Sequence, residues 1–263
     1  MNIDEGLAER TINQHLNNIK DLSSFLDKPL TKVTKQDLRD YLKKYKKYSR
    51  SYFANKIKSL RAFYGRFLDT DLADSFKIPQ PQSENNQKVP DRKELERFYN
   101  NIDGRAGKKY RAFFLIKATS GLRTNELTNL TMENLDLEER MIEPNHNSKT
   151  KRSYISFYNQ ETEKVLKKFL PHRKEDDERL FQVGESNVHR KFRKISEKAN
   201  VKIIPKMLRK WFTKQMQNSE IPGKYIDAFC GRLPRSVRAK HYTDYSPERL
   251  KEIYENADIK VLE

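Results

Sequence analysis

The sequence predicts a mainly α-helical protein with a small β-sheet, divided into a helical domain and a mixed α/β domain. Three observations carry this reading. Apolar residues recur at three- and four-residue steps through most of the chain, as amphipathic helices require. Two short strand candidates, 141–144 and 153–157, the second rich in strand formers, flank a polar turn at 145–152 and predict a hairpin. The stretch 78–87 sets Pro79 and Pro81 among polar residues without apolar periodicity, which is linker composition. The expected division is therefore a domain over 1–78, a linker over 79–89 and a second domain over 90–263.

In the first domain Ile12, Leu16, Ile19, Leu22 and Leu26 mark one helix. Thr34-Lys35-Gln36-Asp37 has the form of a capping box and opens the next. A third is expected from about Ser51 to Leu68, with Phe53, Ile57, Leu60 and Tyr64 on one face. No strand-like alternation occurs here, so a small helical bundle is predicted. The second domain opens at Pro90-Asp91-Arg92-Lys93-Glu94, a helix start. A helix at about 109–119 is broken by Gly121 and restarts from Arg123 to Leu130. Beyond the hairpin, helices are expected near 160–170, 186–199, 206–218 and 222–230, and Ser246-Pro247-Glu248-Arg249 starts another.

Composition narrows the function. The 263 residues carry a net charge of +17, which points to a polyanionic partner, nucleic acid before a membrane surface. One cysteine, Cys230, excludes a disulfide scaffold and a cysteine-rich metal site. No signal peptide and no membrane-length apolar run is present, so a soluble cytoplasmic protein associated with nucleoid or host DNA is expected. Phosphate-loop, dinucleotide and zinc-hydrolase motifs are absent. No cofactor and no metal are expected.

The positive charge is unevenly placed. From Tyr41 to Arg66 the chain holds Lys43, Lys44, Lys46, Lys47, Arg50, Lys56, Lys58, Arg61 and Arg66 and no acid. Tyr41, Tyr45, Tyr48 and Tyr52 are interleaved at steps that share one face of a continuous helix. Such a stripe can neutralise phosphates while the hydroxyls add hydrogen bonds, so contact with double-stranded DNA is expected.

A chain that cuts a phosphodiester with a side chain must bind the phosphate, attack it in line and protonate the leaving oxygen. Arginine forks suit the first task, tyrosine the second and lysine the third. Arg123, Lys206, Arg209, Arg232 and Tyr242 stand in the chain in that mixture. The segment Ala118-Thr119-Ser120-Gly121-Leu122-Arg123-Thr124-Asn125-Glu126-Leu127 resembles the first arginine box of the tyrosine recombinases, the phage-type integrases. Lys28-Pro29-Leu30, Thr34, Asp37-Leu38 and Ser59-Leu60-Arg61-Ala62-Phe63-Tyr64 are similar to the core-binding domain of that family.

The resemblance implies a phosphate-binding role for Arg123 and a structural one for Glu126. It also implies a hairpin lysine as leaving-group acid, for which Ser148-Lys149-Thr150 offers Lys149, with Lys151 as rival. Pro205-Lys206-Met207-Leu208-Arg209 is similar to the second box, with Lys206 where the family usually has histidine. Gly231-Arg232 is similar to the third, with Arg232 again in place of histidine. The nucleophile then falls on Tyr242, ten residues on, with Tyr245 as the alternative. The two replacements resemble integrases of archaeal viruses and plasmids.

The implied activity is site-specific recombination through a 3′-phosphotyrosyl intermediate and a Holliday junction. It implies a homotetramer on DNA, monomeric when free. A type IB topoisomerase shares this chemistry. A DNA-binding protein with an inactive site is the alternative from another class.

Overall fold

The computed structural model describes residues 6–80, 88–144, 155–174, 177–232 and 243–262. The chain forms two compact units, Met1–Gln87 and Lys88–Glu263. No described helix is long and apolar enough to cross a membrane.

Helices in the first unit start where local capping chemistry starts them. They are α1 (Glu9–Phe25), α2 (Lys35–Lys43) and α3 (Arg50–Arg61), and α3 continues into a π-helical turn, Ala62–Phe67. Thr34 accepts the Asp37 amide, and the Asp37 carboxylate returns the bond to the Thr34 amide, closing the expected capping box. Ser49 caps α3 by accepting the Tyr52 amide. Leu22, Leu38, Ile57, Leu60 and Tyr64 pack together as the core. Leu16 was expected in that stripe but is exposed. His15 and Asn18, on the face of α1 turned towards α3, both bond the Ser59 hydroxyl at 2.8 Å.

The tyrosines correct a second expectation. The helix does not run through them: α2 stops at Lys43 and Ser49 opens a new one. Their rings still gather across the turn, with centroids 5.1 Å apart for Tyr41–Tyr45 and for Tyr48–Tyr52. Tyr41 and Tyr45 are buried and donate their hydroxyls to Asp21 of α1.

Lys56 completes this cluster. Its ammonium lies 2.6 Å from Asp21 and 4.3 Å from the Tyr45 ring centre, and the residue is 3% exposed. It was expected to meet DNA, but a buried, ion-paired ammonium is not at the surface to do so. Arg61 is likewise withdrawn, donating to the carbonyls of Asp74 and Phe76 at 2.8 Å each. Lys43, Lys44, Lys46, Lys47, Arg50 and Lys58 remain exposed.

The second unit is built around α5 (Gly107–Ser120), whose residues from Ala112 to Ser120 are all buried. It is preceded by α4 (Arg92–Asn100), started by an Asp91–Glu94 capping box. The short α6 (Thr124–Thr128) follows, with Arg123 as its N-cap. Strands β1 (Leu135–Asp136), β2 (Met141–Ile142) and β3 (Ser156–Phe157) form one antiparallel sheet in that order. Leu135 pairs with Ile142, and Met141 with Phe157. The β2–β3 pairing is the expected hairpin; β1 was not foreseen, because two residues display no period. Helices α7 (Gln160–Phe169), α8 (Glu185–Ala199), α9 (Pro205–Asn218), α10 (Gly223–Phe229) and α11 (Pro247–Asn256) complete the unit. Both α7 and α9 pack on α5.

The Asp21 cluster sets a prediction. Burial alone would raise the Asp21 carboxyl, but hydrogen bonds from Lys56, Tyr45 and Tyr41 outweigh it and hold the group at about 2. Its folded value lies below its unfolded one. The stabilisation is therefore complete above the ordinary carboxylate range and lost as pH falls from 3.8 towards 2. Asp21→Asn should destabilise the first unit by about 2 kcal/mol at pH 7, less than a fully buried pair because Asp21 is partly exposed. Urea unfolding of the full chain followed by tyrosine fluorescence measures this, and the difference from wild type should shrink below pH 3.8.

Candidate active site

The site is assembled on the carboxyl end of α5. A helix leaves its last carbonyls without backbone partners, and here that end is buried. Side chains from four elements supply the donors. Tyr254 of α11 donates to the Thr119 carbonyl at 2.9 Å, and Ser156 of β3 to that of Ser120 at 2.6 Å. Arg209 of α9 donates to the Gly121 carbonyl at 2.7 Å, and Lys117 of α5 itself to that of Leu122.

Gly121 makes the turn. Its φ is +69°, and an added Cβ would stand 2.6 Å from Phe212 Cε1 and 3.3 Å from Cys230 Sγ. The chain can therefore leave α5 only through glycine, and it emerges at Arg123.

Arg123 and Arg209 meet over one carboxylate. Glu126 Oε2 accepts the Arg123 amide at 2.6 Å, and Oε1 accepts Arg123 Nη1 at 2.6 Å. Arg209 Nη1 stands 3.9 Å from Glu126 Oε2. The other edges of the two guanidinium groups bond the end of α10: Arg123 Nη2 donates to the Gly231 carbonyl at 3.3 Å and Arg209 Nη2 to that of Cys230. The arrangement is fixed from both sides, and one carboxylate against two arginines leaves a net positive charge. Burial pushes the Arg209 guanidinium down; Arg123 and Arg232 push the same way, while Cys230 and Glu126 oppose. An arginine stays charged through such a shift. Both side chains keep partial exposure, 24% for Arg123 and 13% for Arg209, so an anion from solvent can reach them.

The remaining expected residues fall differently. Lys206 is exposed in the first turn of α9, three residues before Arg209. Arg232 is exposed, and its Nη1 pairs with Asp227 of α10 at 2.8 Å. Lys149, Lys151 and Tyr242 lie outside the described residues. Tyr245 packs edge-on against Tyr225, ring centres 6.0 Å apart. No cluster of metal-ligating side chains occurs among the described residues.

Sequence reasoning missed Lys117. It is 1% exposed, and burial, reinforced by Arg209, brings its amine down to about 7. A signal was available: Lys117 is the one charge in the apolar run Phe113-Phe114-Leu115-Ile116-Lys117-Ala118.

Residues 88–249 match the phage integrase family, and residues 1–74 match the N-terminal SAM-like domain of phage integrases. The chain is 26% identical over 220 residues to the tyrosine recombinase XerA of Saccharolobus solfataricus, covering 79% of this chain and 73% of that protein. Among solved structures it resembles XerA recombinase, with a TM-score of 0.50, 24% identity and coverage of 97% and 94% of the two chains. It also resembles the Tn1549 transposon integrase in complex with circular intermediate DNA, with a TM-score of 0.69, 17% identity and coverage of 95% and 94%. A lambda integrase tetramer bound to a Holliday junction gives a TM-score of 0.69 at 14% identity, covering 92% of this chain and 74% of that one.

The turn at Gly121 is directly testable. Gly121→Ala combines a left-handed backbone with a clash against Phe212, and should cost about 3 kcal/mol of stability. Thermal denaturation should show the melting temperature falling by several degrees, about 2–4 °C for each kcal/mol in a domain of this size. An unchanged melting temperature would show that the turn is not constrained as described.

Proposed function

Because the chain belongs to the phage integrase family and is a tyrosine-type site-specific DNA recombinase, we propose that Tyr242 is its nucleophile and that Arg123 and Arg209 clamp the scissile phosphate. The observation that carries this reading is the pair of arginines drawn together over Glu126, with net positive charge and partial exposure.

In the proposed reaction the Tyr242 hydroxyl gives up its proton to solvent water as its oxygen attacks phosphorus. An O–P bond to tyrosine forms as the bond to the 5′ oxygen breaks. Arg123 and Arg209, with Arg232, stabilise the charge that develops on the phosphate oxygens. Donors fixed in advance by Glu126 and by the α5 and α10 carbonyls need no reorganisation at that moment. Lys149 gives the departing 5′ oxygen its proton, and Lys206 supports the phosphate or orients the tyrosine. A 5′ hydroxyl of the partner strand then attacks the 3′ phosphotyrosine and reverses the bond exchange. One ester replaces another at each step, so the sequence needs no external energy source.

Double-stranded DNA is the partner. Residues 1–78 act as the core-binding domain, 79–89 as the linker and 90–263 as the catalytic domain. Lys43, Lys44, Lys46, Lys47, Arg50 and Lys58 are the exposed cations of the first unit that meet its backbone. Strand exchange proceeds through a Holliday junction held by four subunits that are monomers when free of DNA. The protein works in the cytoplasm on nucleoid or host DNA. Lysine and arginine at Lys206 and Arg232, together with the likeness to an archaeal recombinase, favour the archaeal virus or plasmid branch.

The nucleophile is tested with a nicked recombination site, obtained by selecting cleaved duplexes from a random pool. Wild type and Tyr245→Phe should accumulate a covalent protein–DNA adduct, and Tyr242→Phe should form none. Adduct from Tyr242→Phe, with loss in Tyr245→Phe, reassigns the role. A pool that yields no cleaved duplex but from which wild type retains one sequence tightly would mark an inactive DNA-binding protein instead.

The leaving-group acid has its own test. Lys149→Ala should slow cleavage about 100-fold on the natural ester. On a substrate with sulfur at the bridging 5′ position the rate should return, because a thiolate leaves without a proton. The same pattern in Lys151→Ala would move the role there.

A further inference from the structure

Lys117 is buried, ionisable and unused by the mechanism above. It sits in the last turn of α5, and its amine donates to the Leu122 carbonyl. The amide on the other side of that peptide belongs to Arg123 and is held by Glu126 at 2.6 Å. The peptide that delivers Arg123 is thus gripped at both ends, by an amine beneath and a carboxylate beside it.

Among the described residues, four titratable groups surround Lys117. Arg123 and Glu126 stand on the turn and α6, Arg209 on α9 and Cys230 at the end of α10. Desolvation disfavours a buried ammonium, and the two arginines repel it. The net effect lowers the amine to about 7, against the partial opposition of Glu126 and Cys230. A phosphate seated on the arginines would reverse the sign of the local field. The amine would then hold its proton more firmly, while its bond to Leu122 persists in either state, since a neutral amine also donates.

We propose that Lys117 is a positioning residue of the recombinase site: its amine fixes the peptide that presents Arg123, and it takes up a proton from solvent when a DNA phosphate occupies the arginine pair. This rests on the recombinase reading of the same site.

Two variants separate the parts. Lys117→Gln keeps a neutral N–H donor near the Leu122 carbonyl, whereas Lys117→Met removes it. Single-turnover cleavage of the selected nicked duplex should fall about 10- to 100-fold in Lys117→Met, with the dissociation constant for that duplex within about twofold of wild type. Lys117→Gln should recover much of that rate.

Proton uptake is read by titrating the same duplex, un-nicked, into full-length protein at pH 7.5, in HEPES and in Tris, two phosphate-free buffers of different ionisation enthalpy, by calorimetry. If docking raises the amine by one unit, wild type should take up about half a proton, and both variants should lose that uptake. Wild-type uptake near zero, or unchanged in both variants, overturns the proton role. Wild-type cleavage rates in both variants overturn the positioning role. If Lys117→Met does not fold, the wild-type and Lys117→Gln uptakes still decide. Absence of any adduct from wild type brings down the recombinase reading and this inference together. Adduct formation indifferent to both substitutions brings down this inference alone.

Discussion

The buried carboxyl end of α5 is the constraint on which the second unit depends. A helix that ends inside protein presents carbonyls that must be bonded, at a cost of about 1–3 kcal/mol for each one left without a donor. Here Tyr254, Ser156, Arg209 and Lys117 bond the carbonyls of Thr119 to Leu122 in turn. Each donor comes from an element that is thereby tied to α5: α11, β3, α9 and α5 itself. The carboxyl end of a helix also carries partial negative charge, which favours the cations gathered there. Satisfying the backbone and concentrating positive charge are accomplished by the same bonds. That is why Arg209, distant in sequence from Arg123, reaches the same carboxylate.

The first unit solves a related problem with opposite geometry. Asp21 stands at the centre of Tyr41, Tyr45 and Lys56, and each gives it a hydrogen bond. A carboxylate so served remains ionised despite partial burial. The cluster draws one lysine of the basic segment inward and leaves its neighbours facing solvent. Lys56 then works as a structural cation, while exposed residues such as Lys46 and Lys47 keep charge available to a polyanion. A run of like charge in a sequence is thus two populations in the fold, sorted by an acid that lies elsewhere in the chain.

This sorting marks what could be read in advance. Helix starts at Thr34, Asp91 and Ser246 were legible because capping is decided within four residues. Gly121 was legible as a break for the same local reason. The exposure of Leu16 was not, since which face of α1 packs inward is decided by contacts with other helices, such as those of His15 and Asn18 with Ser59. Neither was the burial of Lys56, because the segment from Tyr41 to Arg66 contains no acid and its partner is in α1. At the candidate site, the arginine box pointed to Arg123 and Glu126 through resemblance. What resemblance did not convey was the tertiary part: that Glu126 serves both arginines, and that a lysine lies beneath them.

The three arginines are not equivalent in how tightly they are held. Arg123 and Arg209 are tied to Glu126 and to backbone carbonyls in a partly buried setting, where releasing them would leave a carboxylate and several acceptors unpaired. Arg232 pairs with Asp227 at the surface, both side chains close to half exposed. A surface pair of that kind contributes about 0–1 kcal/mol, so a phosphate can compete for Arg232 at little cost. In the proposed reaction the first two form a fixed cradle for the phosphate, and the third is the less tightly held of the set. Histidine, usual at the Arg232 position in the resembling family, would bring a charge that depends on pH. Arginine brings a permanent one, paired in this structure with Asp227 at the surface.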